Sequence, residues 1–518
     1  MAFEVLENIA VAAAGFLIVA ALAYTSTSSS DKKKSGAHPE PPTAPYGYPI
    51  VGHALTFIQG PETTGHKLFE GIDGDIVQFR VFSQTFYMLR GREYAKKLLT
   101  TSHLNVRFVN PVLLDELNIR GQGLLLNNDV EKWKRNRKVL VESIGRPRFL
   151  KSLAPKINKS LADLSEVLDL LDEQGTSILV NVLFGGISLD VIFDIIFSEH
   201  RKAAETYLKG LVRVGGGGKV TVVEGHKGDE IVELLHDAFE ATQFFLRTPK
   251  ILYKLLPSYA AKARKYKASA VAWGEYTNNL VKEKKAQFDL KGSGSDAEDL
   301  STTLFKGDGT LDEIVQVVRE AIGGGTDTSS NTMAFLTYEL AKNPTIADGI
   351  YNEIVENVGL DADFTNEDIA KLPYLDAAIH ETTRLYAVAR FSIRTLTEDL
   401  EVGDYKLKKG AVAIAGIKLN QEYSKLWDSP LEFNPSRFLE PSKELGGPLG
   451  FGFAHFPFGY GVRKCPGEAL ALTEMKLVMA NLIRRYKFVL ADPSRPLEKK
   501  TNSLTLECLD LPVYFKRR

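Results

Sequence analysis

The segment Phe456-Pro-Phe-Gly-Tyr-Gly-Val-Arg-Lys-Cys-Pro-Gly467 constrains this chain more than any other. Glycines at 459, 461 and 467 surround one cysteine, Pro466 follows it directly, and Glu468-Ala-Leu-Ala-Leu-Thr-Glu-Met-Lys476 then opens a strongly helical stretch. This spacing presents a sulfur at the amino end of a helix. Such an end carries partial positive charge and free N–H groups. Both favour a thiolate over a thiol. Gly461 and Gly467 let the backbone approach a flat ligand and donate to the sulfur. Phe458 can shield one side, and Arg463 supplies positive charge for an anionic neighbour. Two blander readings compete. One is a buried structural cysteine in a turn; the other is a nucleophile served by His380 or His455, for which no specific pattern speaks. The chain has only two cysteines, Cys465 and Cys508. A zinc site therefore lacks ligands, and a reducing, cytosol-facing body without a disulfide framework is the natural reading.

The rest of the composition sets bounds. The 518 residues are 44% hydrophobic and 25% charged, ample for a large core without staples. With 64 basic against 65 acidic residues, the net charge of -1 lacks the basic excess of a nucleic-acid binder. Ile9 to Tyr24 is an unbroken apolar run, set apart from Leu6 by Glu7. It is somewhat shorter than the roughly 20 residues that cross a bilayer core. A cleaved signal peptide would carry a basic amino end, whereas Glu4 and Glu7 stand there and Lys32, Lys33 and Lys34 follow the run. The sequence predicts an uncleaved anchor over 1–25 with the carboxyl-terminal bulk in the cytoplasm; a buried core helix is the alternative. A polar and then proline-rich linker, 26–49, should act as a stiff spacer. The catalytic body then covers 50–518.

Within that body, Asp75–Phe82 and Thr85–Leu89 read as a hairpin joined through Ser83-Gln84. Leu161–Leu171 has amphipathic helical spacing. Val214-Gly-Gly-Gly-Gly-Lys219 lacks the Lys-Thr or Lys-Ser step of a phosphate loop and reads as a flexible connection, as does Lys291–Asp296. Short strands are expected over about 400–415 and 503–515. The predicted fold class is mainly α with a smaller β region, forming one catalytic unit without internal repeats.

Three further segments ask for explanation. In His380-Glu-Thr-Thr-Arg384, Glu381 and Arg384 share a helix face among apolar flanks. Glu320-Ala-Ile-Gly-Gly-Gly-Thr-Asp-Thr-Ser329 follows a capping box, Thr310 with Glu313. Three glycines inside a helix cost roughly 1 kcal/mol each relative to alanine, so either close helix packing or room for a ligand must justify them. Trp133-Lys-Arg-Asn-Arg137 places an indole and a guanidinium one turn apart.

Phe458, Gly461, Arg463, Cys465 and Gly467 match the cytochrome P450 haem signature, Phe-x-x-Gly-x-Arg-x-Cys-x-Gly, at every fixed position. The chain resembles a membrane-anchored, microsomal and fungal-like haem-thiolate monooxygenase. The resemblance implies haem b (iron protoporphyrin IX) with Cys465 as the axial metal ligand, and O2 as co-substrate. It implies that Glu381 and Arg384 pair with Arg437 of Pro435-Ser-Arg-Phe438 to support haem binding. It makes Gly324–Thr328 similar to the oxygen-binding motif, with Asp327 and Thr328 as the catalytic pair that delivers protons. That pair speaks against P450 isomerases and dehydratases, and Asp327 against the sterol 14-demethylase branch. Trp133, Arg137 and Arg394 would meet haem propionates, and Gly323, Gly324 and Val388 would line the substrate pocket. Two positions depart from the family pattern: Ala387-Val388 replaces a usual Pro-Pro, and Asn420 replaces a frequent histidine. With no flavin domain in the chain, electrons are expected from a separate NADPH-cytochrome P450 reductase at the endoplasmic reticulum membrane. Lys132, Lys134, Arg135 and Lys464 could form its basic docking face. The expected substrate is a lipophilic small molecule, with a steroid or terpenoid ahead of a fatty acid. Rival readings are a P450-type isomerase or peroxygenase, and a non-catalytic haem or lipid carrier.

Overall fold

The computed structural model describes residues 39–54, 56, 64–101, 106–108, 111–117, 123–214, 220–222, 230–291, 299–439, 452–501 and 505–518. The expected anchor, the polar half of the linker, the glycine run after Val214 and the loop after Lys291 lie outside the described residues. The described chain groups into two compact units.

The smaller unit contains the described residues up to Phe108 together with Phe391–Leu419. Its centre is a four-stranded sheet of β1 (Ile76–Val81), β2 (Gln84–Leu89), β3 (Phe391–Thr395) and β4 (Val412–Gly416), in the order β1-β2-β4-β3. The pair β1/β2 is antiparallel with Ile76 opposite Leu89, whereas β2 and β4 run parallel with Phe86 opposite Val412. Alternating side chains explain the buried face: Val77, Phe79 and Met88 pack with Leu68, Val412, Ile414 and Leu419. The turn sits one residue earlier than expected, at Phe82-Ser83, because Gln84 already pairs with Val81. Phe82 takes φ 52°, the left-handed conformation that tight hairpin turns demand. The proline-rich stretch also departs from a free-standing spacer. Gln78 donates to the Pro42 carbonyl and accepts from the Ala44 N–H, both at 2.8 Å, so this segment docks along β1. Proline fits there because an edge position leaves its missing N–H unneeded.

The larger unit, Val109–Arg390 with Asn420–Arg518, is mainly helical. Its principal helices are α1 (Val130–Ile144), α2 (Leu153–Glu173), α3 (Val180–Phe197), α4 (Glu230–Arg247), α5 (Pro257–Lys291), α6 (Leu311–Lys342), α7 (Pro373–Tyr386) and α8 (Glu468–Arg485). Four strands close the chain: β5 (Tyr486–Leu490), β6 (Lys499–Thr501), β7 (Leu506–Cys508) and β8 (Pro512–Arg517). The amphipathic stretch 161–171 lies inside α2, and its Leu161, Leu164, Leu168 and Leu171 enter the main core. Helix α3 is apolar on all sides. It is long and apolar enough to cross a membrane, but most of it is buried inside this unit, which marks it as a core helix.

Helix α6 runs 32 residues, and the expected capping box holds its start: Glu313 N–H donates to Thr310 Oγ1 while Thr310 N–H donates to Glu313. The three glycines leave it helical throughout. They do different jobs. A Cβ on Gly325 would stand 2.4 Å from Ile192 of α3, so that glycine permits close helix packing. A Cβ on Gly324 would meet nothing within 4 Å. Gly323 is buried against Phe239 and Leu235 of α4.

Candidate functional site

Positive φ of 71° at both Gly459 and Gly461 folds the cysteine loop back on itself. Cys465 N–H donates to the Phe458 carbonyl at 2.8 Å, and Gly467 is the N-cap of α8. The thiol therefore sits two residues before the positive end of an 18-residue helix. Its neighbours Phe453, Phe456, Arg463 and Leu470 are buried, yet Cys465 is exposed. A structural core cysteine would be enclosed, as Cys508 is at 3% exposure.

Helix α1 backs this loop. Trp133 is buried and lies under the Arg463 guanidinium, 3.8 Å from ring centroid to Cζ. Arg463 also donates to the carbonyls of Asn127 at 3.0 Å and Leu124 at 3.4 Å. Arg137 sits 5.8 Å from the same indole. Burial lowers its pKa, and the Cys465 sulfur pulls it back up. The structure thus brings Trp133, Arg137, Arg463 and Cys465 together. The proposed docking cations are less free than the sequence suggested. Arg135 and Lys132 pair with Glu313 at 2.7 and 3.9 Å, Lys134 with Glu131 at 2.9 Å, and Lys464 with Glu468.

The expected charge cluster is fully formed. Arg384 grips Glu381 with two bonds, Nε–Oε2 at 2.7 Å and Nη2–Oε1 at 2.8 Å, and both residues are 0% exposed. Arg437 Nε adds a third at 3.3 Å, and the Asn434 N–H a fourth at 2.9 Å. Arg384 spends its other N–H groups on the carbonyls of Gln421, Pro430 and Glu432. Every charge here has its partners, which is what a buried ionic cluster requires.

The α6 stretch differs. Thr328 Oγ1 donates to Gly324 O at 2.9 Å, so its lone pairs are left for another donor. Asp327 receives Asn331 Nδ2 at 3.1 Å, but its Oδ2 is sealed from solvent with no hydrogen-bond partner. Burial first, and then the nearby Glu507 carboxylate, push its pKa up to about 7 against the opposing bonds from Thr505 and Asn331. Thr326 Oγ1 is also buried without a partner. Val388 follows the left-handed Ala387 that ends α7, and its carbonyl accepts from Leu506 N–H at 2.9 Å. Arg394 lies in β3 of the smaller unit, 2% exposed, where it donates to Ser392 Oγ and Ile393 O. Burial and Arg107 hold its pKa at about 10.

Four residues here were missed from sequence. Asn331 ties Asp327 to β7 by accepting the Cys508 N–H at 2.7 Å. Glu507 is buried on β7 beside Asp327. Glu474 of α8 is 2% exposed, accepts Ser188 Oγ at 2.7 Å, and has its pKa pushed up to about 7 by burial. Glu320 grips the loop before α1. For Glu474 the available signal was an acid at a core position of a helix, which is rare without a reason.

This donor set fits a haem. An exposed sulfur stands at a helix amino end, an open stretch of helix backbone lies at Gly324, guanidinium groups gather at Trp133, and a polar pair with an orphaned oxygen sits on α6. The cytochrome P450 family model matches residues 41–515, nearly the whole chain. The chain belongs to the cytochrome P450 family. It is a monooxygenase of the family's hydroxylase kind, whose members carry haem on a cysteine thiolate and use O2. It is similar to cytochrome P450 27C1 of Aquarana catesbeiana, 27% identical with 77% of this chain and 73% of that protein covered. It is 25% identical to the mitochondrial 25-hydroxyvitamin D-1 alpha hydroxylase of Rattus norvegicus, covering 76% of each. Corytuberine synthase of Coptis japonica is 24% identical over 90% of this P450 and 91% of its own length.

Proposed function

We propose that Cys465 is the haem ligand and that this P450 hydroxylates a neutral, lipophilic small molecule, a steroid or terpenoid in class. The observation that carries the reading is the exposed sulfur of Cys465, held at the head of α8 beside the buried Phe456 and Arg463. When bound, the haem supplies the iron that activates O2. Trp133, Arg137 and Arg463 would hold its charged edge, while the Glu381–Arg384–Arg437 cluster would keep the surrounding chain in place. Asp327 would hold a proton near neutral pH because burial and Glu507 oppose its ionisation. Thr328 would orient that proton through its free lone pairs.

One observation favours a rigid substrate over a free fatty acid: Gly324 leaves room for a rigid body against the helix backbone. We further propose a single-pass anchor at 1–25 in the endoplasmic reticulum membrane, a linker over 26–49 whose Pro42–Ala44 stretch docks along β1, and a cytoplasmic haem domain over 50–518. The NADPH-dependent reductase would then act from the same membrane. The acidic amino end supports this over a transit peptide, which would be arginine-rich.

A panel of neutral steroids and free fatty acids tests the reading. Steroids should displace the sixth ligand, seen as a Soret shift, and gain one oxygen with NADPH and reductase. Turnover with peroxide alone would support the peroxygenase reading instead.

A further inference from the structure

The residues just before α1 form a strap with two anchors. Leu124 O accepts from Arg463 of the cysteine loop, and so does Asn127 O. Leu124 N–H and Leu125 N–H instead both donate to Glu320 Oε2 of α6, at 2.5 and 2.7 Å. One peptide therefore links α6 to the cysteine loop. Asn127 and Asn136 fix the strap from its other side, each donating to the Gly123 carbonyl, at 3.1 and 3.3 Å. The side chains diverge. Leu124 packs on the main core, whereas Leu126 packs on a satellite cluster of Leu113, Phe245, Tyr253 and Ala263.

Gly123 points to the same contact independently. It takes φ 78°, and a Cβ there would stand 2.5 Å from Glu320 Oε1 and 2.6 Å from its Cδ. Only glycine lets the carboxylate lie across this backbone. A half-buried acid that accepts two amides makes a charge-assisted contact. Gln316 Nε2 steadies its other oxygen at 3.3 Å.

We infer that Glu320 is a positioning residue: its grip on Leu124 and Leu125 fixes the strap, and with it Leu126 against the satellite cluster of α4 and α5, and so sets the size of substrate admitted. This rests on the reading that the site on α6 takes a bulky substrate. Arg463 keeps its shorter bond to Asn127 O, so the cysteine loop stays in place when Glu320 is removed.

The test compares holoenzyme with Glu320→Ala, Glu320→Gln, Gly123→Ala and the double variant Gly123→Ala/Glu320→Ala. Hydrogen exchange at the amides of Leu124 and Leu125 should speed up roughly ten-fold or more in Glu320→Ala. Clotrimazole, a bulky azole, should bind roughly ten-fold more weakly, while imidazole affinity and the reduced carbonyl band stay unchanged. Glu320→Gln keeps an acceptor and should recover most of both effects. Gly123→Ala should mimic the loss, and the double variant should add little to either. Unchanged exchange and clotrimazole binding in Glu320→Ala would overturn the inference. Equal weakening of imidazole and clotrimazole would also overturn it, by showing a general structural role. Wild-type protein that bound neither azole would instead strike the haem reading itself.

Discussion

Glu381 and Asp327 each bury carboxylate oxygen inside a helical core, and their surroundings could hardly differ more. Glu381 receives two arginines and a backbone amide, so its charge is matched on every side. Asp327 has one oxygen with no partner and a second acid nearby. The first arrangement pairs every carboxylate oxygen with a donor, as a buried ionic cluster requires. The second makes a proton easy to hold and easy to give up near neutral pH. On the proposed reading, saturated charge serves the scaffold and unsaturated charge serves the chemistry.

The largest test of this contrast is Glu381→Ala. It strands Arg384 and Arg437 and should cost about 3–5 kcal/mol, giving protein purified without haem; full haem content at an unchanged Tm would break the comparison. Asp327→Asn should fold, keep its haem and lose about 10²-fold in turnover, with reducing equivalents still consumed. Its stability should also respond to pH. The Asp327 pKa is raised from 3.8 to about 7, so the native state binds the proton more tightly than the unfolded chain. Wild-type stability therefore falls as pH rises from about 4 towards 7 and then levels. Asn removes that component, and denaturant titrations across this window should show a shallower fall. Glu474 contributes in the same sense and keeps the fall from vanishing.

Two neighbouring glycines sharpen the contrast at smaller scale. Gly325→Ala drives a methyl into Ile192 and should destabilise by about 1–3 kcal/mol. Gly324→Ala meets open space, so better helix propensity should stabilise by up to about 1 kcal/mol, while bulky ligands bind less well. Thermal unfolding of the two variants reads both signs. Similar destabilisation in both would make the three glycines a packing motif alone.

Much of this was legible in residue order because it is local. The capping box, the Glu381–Arg384 spacing, the cysteine at a helix head and the alternation of β1 and β2 all act within a few residues. What stayed hidden depends on chain returning from far away. Glu507 reaches Asp327 across 180 positions of sequence, and Glu320 meets Leu124 across 196. The division of labour among Gly323, Gly324 and Gly325 depends on which neighbour each faces. The proline-rich segment looked like a spacer because its partner, Gln78, could not be foreseen from composition.

The carbonyl spectrum of the reduced protein addresses the central claim most directly, since the band position reports the atom opposite the carbon monoxide. A sulfur anion from Cys465 predicts the strongly red-shifted thiolate band in wild type and its loss in Cys465→Ser. A wild-type band at the position of an imidazole-ligated haem, or an unaltered band in Cys465→Ser, would contradict the assignment.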